Sequence, residues 1–213
     1  MKTQVVNFKS TVLYLLLLLP ALGLKGEEKH LDLNQAKIDT ATFAAGCFWC
    51  VEEQFKSLKG VQKVIPGYTG GHTKNPSYGQ VITGKTGHAE ACQILFDPSV
   101  ISYSELLKAF FIAHDPTQLN RQGNDIGTQY RSAIFYHSAR QKQLAEFFIK
   151  RLNEQKAYKN EIVTTVSKKS KFYLAENYHR DYYENNPDDP YCRLVIKPKM
   201  DRFKKVFAEK IKP

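Results

Sequence analysis

The stretch Ala41-Thr42-Phe43-Ala44-Ala45-Gly46-Cys47-Phe48-Trp49-Cys50-Val51-Glu52-Glu53-Gln54-Phe55-Lys56-Ser57-Leu58 decides the fold, because its hydrophobic period changes in the middle. Before Gly46 the residues form a short apolar run of the kind a buried strand makes. After it, Phe48, Val51, Phe55 and Leu58 recur at helical spacing, and Gly60 offers a stop. A strand therefore turns into a helix at Gly46-Cys47. The glycine permits the tight turn, and the cysteine falls at the helix N-terminus.

Outward from this unit the same two periods alternate. Val61 to Tyr68 reads as a strand closing on a turn at Gly70-Gly71, and Glu90 to Phe96 as a strand halted by Asp97-Pro98. Ser102 with Glu105 forms a capping box ahead of Leu106, Leu107, Phe110 and Phe111. Arg131 to Tyr136 is a further strand, and Ser138 with Gln141 makes a second capping box before Leu144, Phe147, Phe148 and Leu152. Ile162 to Val166 is a β-branched run. Two strand, helix, strand successions in one domain predict an α+β fold, a ferredoxin-like two-layer sandwich with a mixed sheet and its helices on one face. Three long loops rich in Tyr, His, Asn and Asp separate the elements, over 70–85, 114–129 and 172–191, and loops of that length in a compact domain carry function.

Of the 213 residues, 42% are apolar and 24% charged, with 12 Tyr and 13 Phe, which is the composition of a packed, aromatic-rich globular protein and excludes a disordered one. Lys2 and Lys9 precede and flank an apolar run from Thr11 to Leu19, followed by Pro20 and small residues to Gly23. That pattern predicts an export signal over residues 1–23, cleaved or kept as an anchor, with a polar arm over 24–40 and one domain over 41–213. The location expected is accordingly periplasmic or secreted. The net charge of +10 owes much to Lys197, Lys199, Arg202, Lys204, Lys205, Lys210 and Lys212, interleaved with apolar residues near helical spacing. This reads as a solvated helix face rather than a nucleic-acid patch.

Four cysteines, Cys47, Cys50, Cys92 and Cys192, are too few for a disulfide scaffold. At a helix N-terminus, Cys47 is expected to have a lowered pKa and to act as a nucleophile. With Cys50 it forms C-x-x-C, whose generic readings are a redox pair or half of a zinc site. No second metal-like pair of ligands accompanies it, and no flavin, nucleotide or phosphate-loop motif is present, so no metal or other cofactor is expected. Phe48 and Trp49, the single tryptophan, stand beside the nucleophile and imply a pocket for an apolar group.

The string GCFWC at Gly46 to Cys50 resembles the signature of the A-type peptide methionine sulfoxide reductases. So do GYTGG around Tyr68, NPSYGQV at 75–81, TGHAEA at 86–91, HDPTQLNRQGNDIGTQYRSAIFY at 114–136, AENYHRDYYENNP at 175–187 and PYCRLVIKPK at 190–199. The likeness runs from about Thr42 to Phe207. It implies that Cys47 attacks the sulfoxide sulfur, that Glu90 is the acid that protonates the oxygen, and that Tyr78 and Tyr130 hydrogen-bond that oxygen. It also places Asp125 near the nucleophile and Phe48 and Trp49 around the substrate methyl. Attack leaves a sulfenic acid on Cys47. Cys50, one helical turn away, is the first choice to resolve it, while Cys192 matches the C-terminal resolving position of many relatives, so a relay through both stays open. Cys92 reads as a core side chain and His88 as structural. The resemblance implies oxidised proteins bearing methionine S-sulfoxide, and free methionine S-sulfoxide, as substrates. It also implies a thioredoxin or thioredoxin-like reductant, and nothing in the sequence suggests more than a monomer. Two rivals are an exported thiol–disulfide oxidoreductase using Cys47 and Cys50, and a binding module using the basic C-terminal face.

Overall fold

A computed structural model describes residues 38–213. The reading of residues 1–23 as an export signal lies outside the described residues, as does the arm up to residue 37. Strand β1 (Asp39–Ala45) leads through Gly46 and Cys47 into helix α1 (Phe48–Lys56), which returns the chain to β2 (Val61–Thr69). The connection from β2 to β3 (Ala89–Phe96) carries the short helix α2 (Tyr78–Val81). Helix α3 (Tyr103–Ala113), the hairpin β4 (Arg121–Gln122) and β5 (Asp125–Ile126), strand β6 (Ser132–Tyr136) and helix α4 (Ala139–Glu154) follow. After β7 (Thr165–Lys168) and β8 (Tyr173–Leu174) come the short α5 (Tyr182–Asn185) and a π-helical turn over Cys192–Ile196, which runs into α6 (Lys197–Val206).

The main sheet has the order β7-β6-β1-β3-β2-β8 and is antiparallel except where β7 joins β6. Its inner strands β6-β1-β3-β2, with α1 linking β1 to β2 and α3 linking β3 to β6, form the ferredoxin-like core expected from the sequence. The two faces of the sheet differ. On the helix side, Phe43 of β1, Val64 and Tyr68 of β2 and Ile94 and Phe96 of β3 pack against Phe48, Val51 and Phe55 of α1 and Leu106, Leu107 and Phe110 of α3. Each such side chain withdrawn from water contributes roughly 1.5–3 kcal/mol. Helix α6 adds a further layer over α1, bringing Phe203 to 6.4 Å from Phe55, ring to ring. The opposite face is small-residued, Ala44, Ala89, Ala91 and Ala133, covered by Phe135 and Phe172. Its edges are weak strands: β8 has two residues, and β7 is largely exposed and runs on into Lys169 and Lys171.

Local signals explain most boundaries. The box at Ser102 and Glu105 is formed in both directions. At Ser138 only half of the expected box exists: its hydroxyl accepts from Gln141 N–H, but the Gln141 side-chain Oε1 accepts from His137 N–H instead of the cap residue's own. A complete box at Ser77 and Gln80, unread in the sequence, starts α2 inside the 70–85 loop. The β-branched run after Ile162 enters the sheet later than expected, at Thr165.

Two residues of this framework yield predictions. Gly46 has φ +89, and a Cβ there would lie 2.7 Å from the Gln122 Cβ. Gly46→Ala should therefore cost about 1–2 kcal/mol in backbone strain alone, read as a lower urea midpoint; an unchanged midpoint would show the turn to be adaptable. Glu52 of α1 is buried, accepts the Asp181 N–H at 3.1 Å, and has its carboxyl pushed by burial up to about 7 from an ordinary 4.5. Between those two values the folded chain holds a proton that the unfolded chain has released, so this group's contribution to stability is lost as pH rises through about 7. Glu52→Gln should flatten the fall of the thermal midpoint over that window, and parallel wild-type and variant curves would refute the assignment.

Candidate active site

Cys47 is the N-cap residue of α1, and its carbonyl accepts from the N–H groups of Cys50 and Val51 at 3.1 and 3.4 Å. Its side chain makes no capping bond, so the first helical N–H, that of Phe48, needs a partner from elsewhere. Glu90 of β3 supplies it, with Oε2 accepting at 3.1 Å. Strand alternation makes this possible: Glu90 points to the helix side with Cys92 and Ile94 and is 1% exposed. Burial first, and Cys47 second, push its carboxyl well above the usual range, so Glu90 holds a proton at neutral pH.

The thiols depart from the sequence expectation. Burial pushes Cys47 well above its ordinary pKa, whereas Cys50 is lowered, first by its hydrogen bond with Cys47 and also by Lys199, whose Nζ lies 3.7 Å from Cys50 Sγ. The helix-terminus argument holds for a solvated thiol; Cys47 is 6% exposed, and desolvation outweighs the terminal field. Cys192, at the start of the π-helical turn, joins Cys47 and Cys50 in one buried cluster with Ile196 and Met200. All four cysteines are free thiols, and Cys92 stands apart on β3, its Sγ directed at the Phe48 carbonyl at 3.6 Å.

Aromatic rings enclose the cluster. Phe48 lies 4.9 Å from His179, 5.9 Å from Tyr68 and 6.4 Å from Tyr78, centroid to centroid. Trp49 stacks on Tyr182 at 3.7 Å and donates its indole N–H to His179 Nδ1 at 3.1 Å. Tyr78 and Tyr130 both face Glu90 and Cys47, and burial together with those groups raises their phenols. Asp125 reaches the nucleophile through an intermediary: the Tyr191 hydroxyl donates to its Oδ2 at 2.7 Å and is itself within hydrogen-bond reach of Cys47. Every site residue expected from the sequence is thus in or around one cluster.

Four participants were not expected at the site; one of them, Lys199, reads from the sequence as part of a solvated helix face, yet it is only partly exposed and its Nζ meets Cys50 Sγ. His179 is kept neutral by burial; since Nδ1 accepts from Trp49, the proton resides on Nε2. Glu176 fastens two aromatic residues, accepting the Tyr68 hydroxyl at 2.7 Å and the Tyr78 N–H at 2.8 Å. Tyr191 and Lys199 complete the set. All four come from the C-terminal third, and only their place in the motif strings hinted at them. His88, read as structural, accepts the Gly71 N–H at 3.1 Å and bonds the Thr73 carbonyl at 2.7 Å, which fixes the loop after β2.

Comparison with known proteins agrees with this geometry. The family model described as peptide methionine sulfoxide reductase matches residues 39–211. Peptide methionine sulfoxide reductase MsrA of Natronomonas pharaonis is 50% identical over 172 residues, 81% of this chain and 97% of that relative. Among solved structures, reduced Mxr1 from Saccharomyces cerevisiae matches with a TM-score of 0.69 at 34% identity, over 77% of this chain and 94% of that one. Methionine sulfoxide reductase A of Corynebacterium diphtheriae matches with a TM-score of 0.64 at 34% identity, over 72% of this chain and 77% of that one. With a buried thiol set against a protonated carboxyl, and with likeness across nearly all of the described residues, this chain belongs to the peptide methionine sulfoxide reductase family.

Proposed function

We propose that this chain repairs oxidised methionine by using Cys47 as the nucleophile on the sulfoxide sulfur and Glu90 as the acid on its oxygen. The observation that carries the reading is the bond between Glu90 and the helix that bears Cys47. Because Oε2 accepts the Phe48 N–H, the carboxyl proton is left on Oε1, free to be donated. Burial keeps it there at neutral pH. Tyr78 and Tyr130, with phenols raised above their ordinary range, stay protonated and serve as further donors to the same oxygen. Phe48 and Trp49 offer the apolar side of the site to the methyl group.

The exchange balances without a cofactor. The sulfoxide sulfur gains two electrons and becomes a thioether, the Cys47 sulfur gives them up and takes the oxygen as a sulfenic acid, and a second thiol then displaces that oxygen as water. Cys50, one helical turn from Cys47 and in the same buried cluster, closes the disulfide, with Cys192 of that cluster in reserve. A thioredoxin-like dithiol returns the disulfide to thiols, and the basic, apolar N-terminal pattern supports an exported setting in which that donor works. The substrate is the S epimer, in proteins and as the free amino acid. A plain disulfide oxidoreductase would have no use for a buried, protonated Glu90.

The test is reduction of a methionine S-sulfoxide peptide with dithiothreitol. Cys47→Ser should abolish turnover, and Glu90→Gln should lower kcat by about 10²–10⁴-fold. Wild-type kcat should fall as pH rises through the raised Glu90 pKa, since the acid form is the active one, while the residual activity of Glu90→Gln should lack that limb. Full activity in Glu90→Gln would return the assignment to disulfide exchange.

A further inference from the structure

Lys199 has no part in the reaction as described, yet its ammonium is directed at a buried sulfur. It lies on α6, and its Nζ is 3.7 Å from Cys50 Sγ. The titratable groups around Cys50 are Cys47 from the N-terminus of α1, Asp125 from β5, Tyr191 and Cys192 at the π-helical turn, the phenols of Tyr130, Tyr182 and Tyr183 packed on the same cluster, and Lys199 from α6. Asp125 is engaged by the Tyr191 hydroxyl. Among the described residues, Lys199 is the cation in hydrogen-bond reach of these thiols. The Cys47 and Cys50 thiols share one buried cluster and act on each other electrostatically, so a charge placed on one sulfur is felt by the other.

From this geometry we infer that Lys199 is a positioning residue that holds Cys50 as a thiolate, and that Cys50 serves the reaction twice, first as the base that takes the Cys47 proton and then as the resolving nucleophile. The inference rests on the sulfoxide reduction proposed above. In the first step the Cys47 sulfur bonds to the sulfoxide sulfur, its proton passing to Cys50 while the Glu90 proton passes to the oxygen; the substrate's S–O bond and the new sulfur–sulfur bond then break as the oxygen moves onto the Cys47 sulfur. The products are methionine, a Cys47 sulfenic acid, a Cys50 thiol and a Glu90 carboxylate. In the second step the Cys50 sulfur, again deprotonated beside Lys199, attacks Cys47 sulfur; the S–O bond breaks and the oxygen leaves with both protons as water. Reduction of the disulfide by the dithiol donor restores two protons, one to Cys47 and one to Glu90. Cys50 returns to the thiolate paired with Lys199. The lowered pKa of Cys50 and the raised one of Cys47 fit this division of labour, which a resolving thiol acting only after methionine release does not require.

The test is a single turnover of the full chain, fully reduced and mixed with excess methionine S-sulfoxide peptide without reductant. Methionine formed and thiols lost are followed by rapid quench from pH 6 to pH 9. Lys199→Met should slow both methionine formation and disulfide closure about tenfold at neutral pH, the factor that one unit of thiol pKa represents. The deficit should shrink as pH rises and ionises Cys50 unaided. Lys199→Arg, which keeps the charge, should recover most of the rate, and Cys50→Ser should slow the formation of the first methionine as well as block the Cys47–Cys50 disulfide. Lys199→Met matching wild type at every pH, or trailing it by one constant factor, would overturn the inference. Should Lys199→Met not fold, Lys199→Gln and Lys199→Arg decide between the same outcomes by their pH profiles. A wild-type chain that forms no methionine would instead overturn the sulfoxide reading itself.

Discussion

The bond from the Phe48 N–H to Glu90 ties the chemistry to the fold. A helix that starts at a buried cysteine leaves N–H groups without partners, and a carboxyl in the core is unfavourable unless it is neutral or well bonded. Each answers the other's need. The helix start gains an acceptor and the carboxyl gains one donor, while burial first and the neighbouring Cys47 second hold it in its protonated form. The same contact brings β3 and α1 into register, so the acid and the nucleophile cannot drift apart without unpacking the sheet from its first helix. Structure and reactivity here draw on one hydrogen bond between residues 42 apart in the chain.

The thiols show how burial can reverse a rule that holds at surfaces. A cysteine at a helix N-terminus is ordinarily the more acidic of a C-x-x-C pair. Here that position is also buried, enclosed by Phe48, Tyr191 and Glu90, and the thiol a turn further on has the cation. Reactivity then depends on a proton moving between two sulfurs more than on a standing charge at the nucleophile. Three side chains of the 172–191 loop and α6 region, Tyr191, Cys192 and Lys199, reach this cluster, so the chain's last helix belongs to the site as much as its first.

The inner sheet was readable because its signals are local. The change of period at Gly46, the stop at Asp97-Pro98 and the box at Ser102 are each written within a few residues, and the strand at Glu90 carries its own alternation. The site was readable only in part. Cys47, Cys50, Phe48 and Trp49 are contiguous and announce themselves, whereas Glu90, Tyr78, Tyr130 and Asp125 were found through motif likeness, since nothing in a strand pattern says that its glutamate faces the core. His179 and Lys199 meet Trp49 and Cys50 across 130 and 149 residues of chain. No periodicity encodes such a meeting; it arises from the route the C-terminal third takes over α1. The overlooked Ser77–Gln80 box is the exception, a local signal present in the 70–85 loop and hidden by that loop's glycines and proline.

The outer strands carry a consequence of a different sort. An open sheet edge is a template onto which a strand of another chain can add. At one margin this sheet offers only Tyr173 and Leu174, and at the other Thr165 to Lys168 leads into further lysines. Two residues give too short a ladder to recruit a partner, and clustered ammonium groups repel close stacking. Both margins of the sheet are thereby guarded against edge-to-edge pairing with other chains.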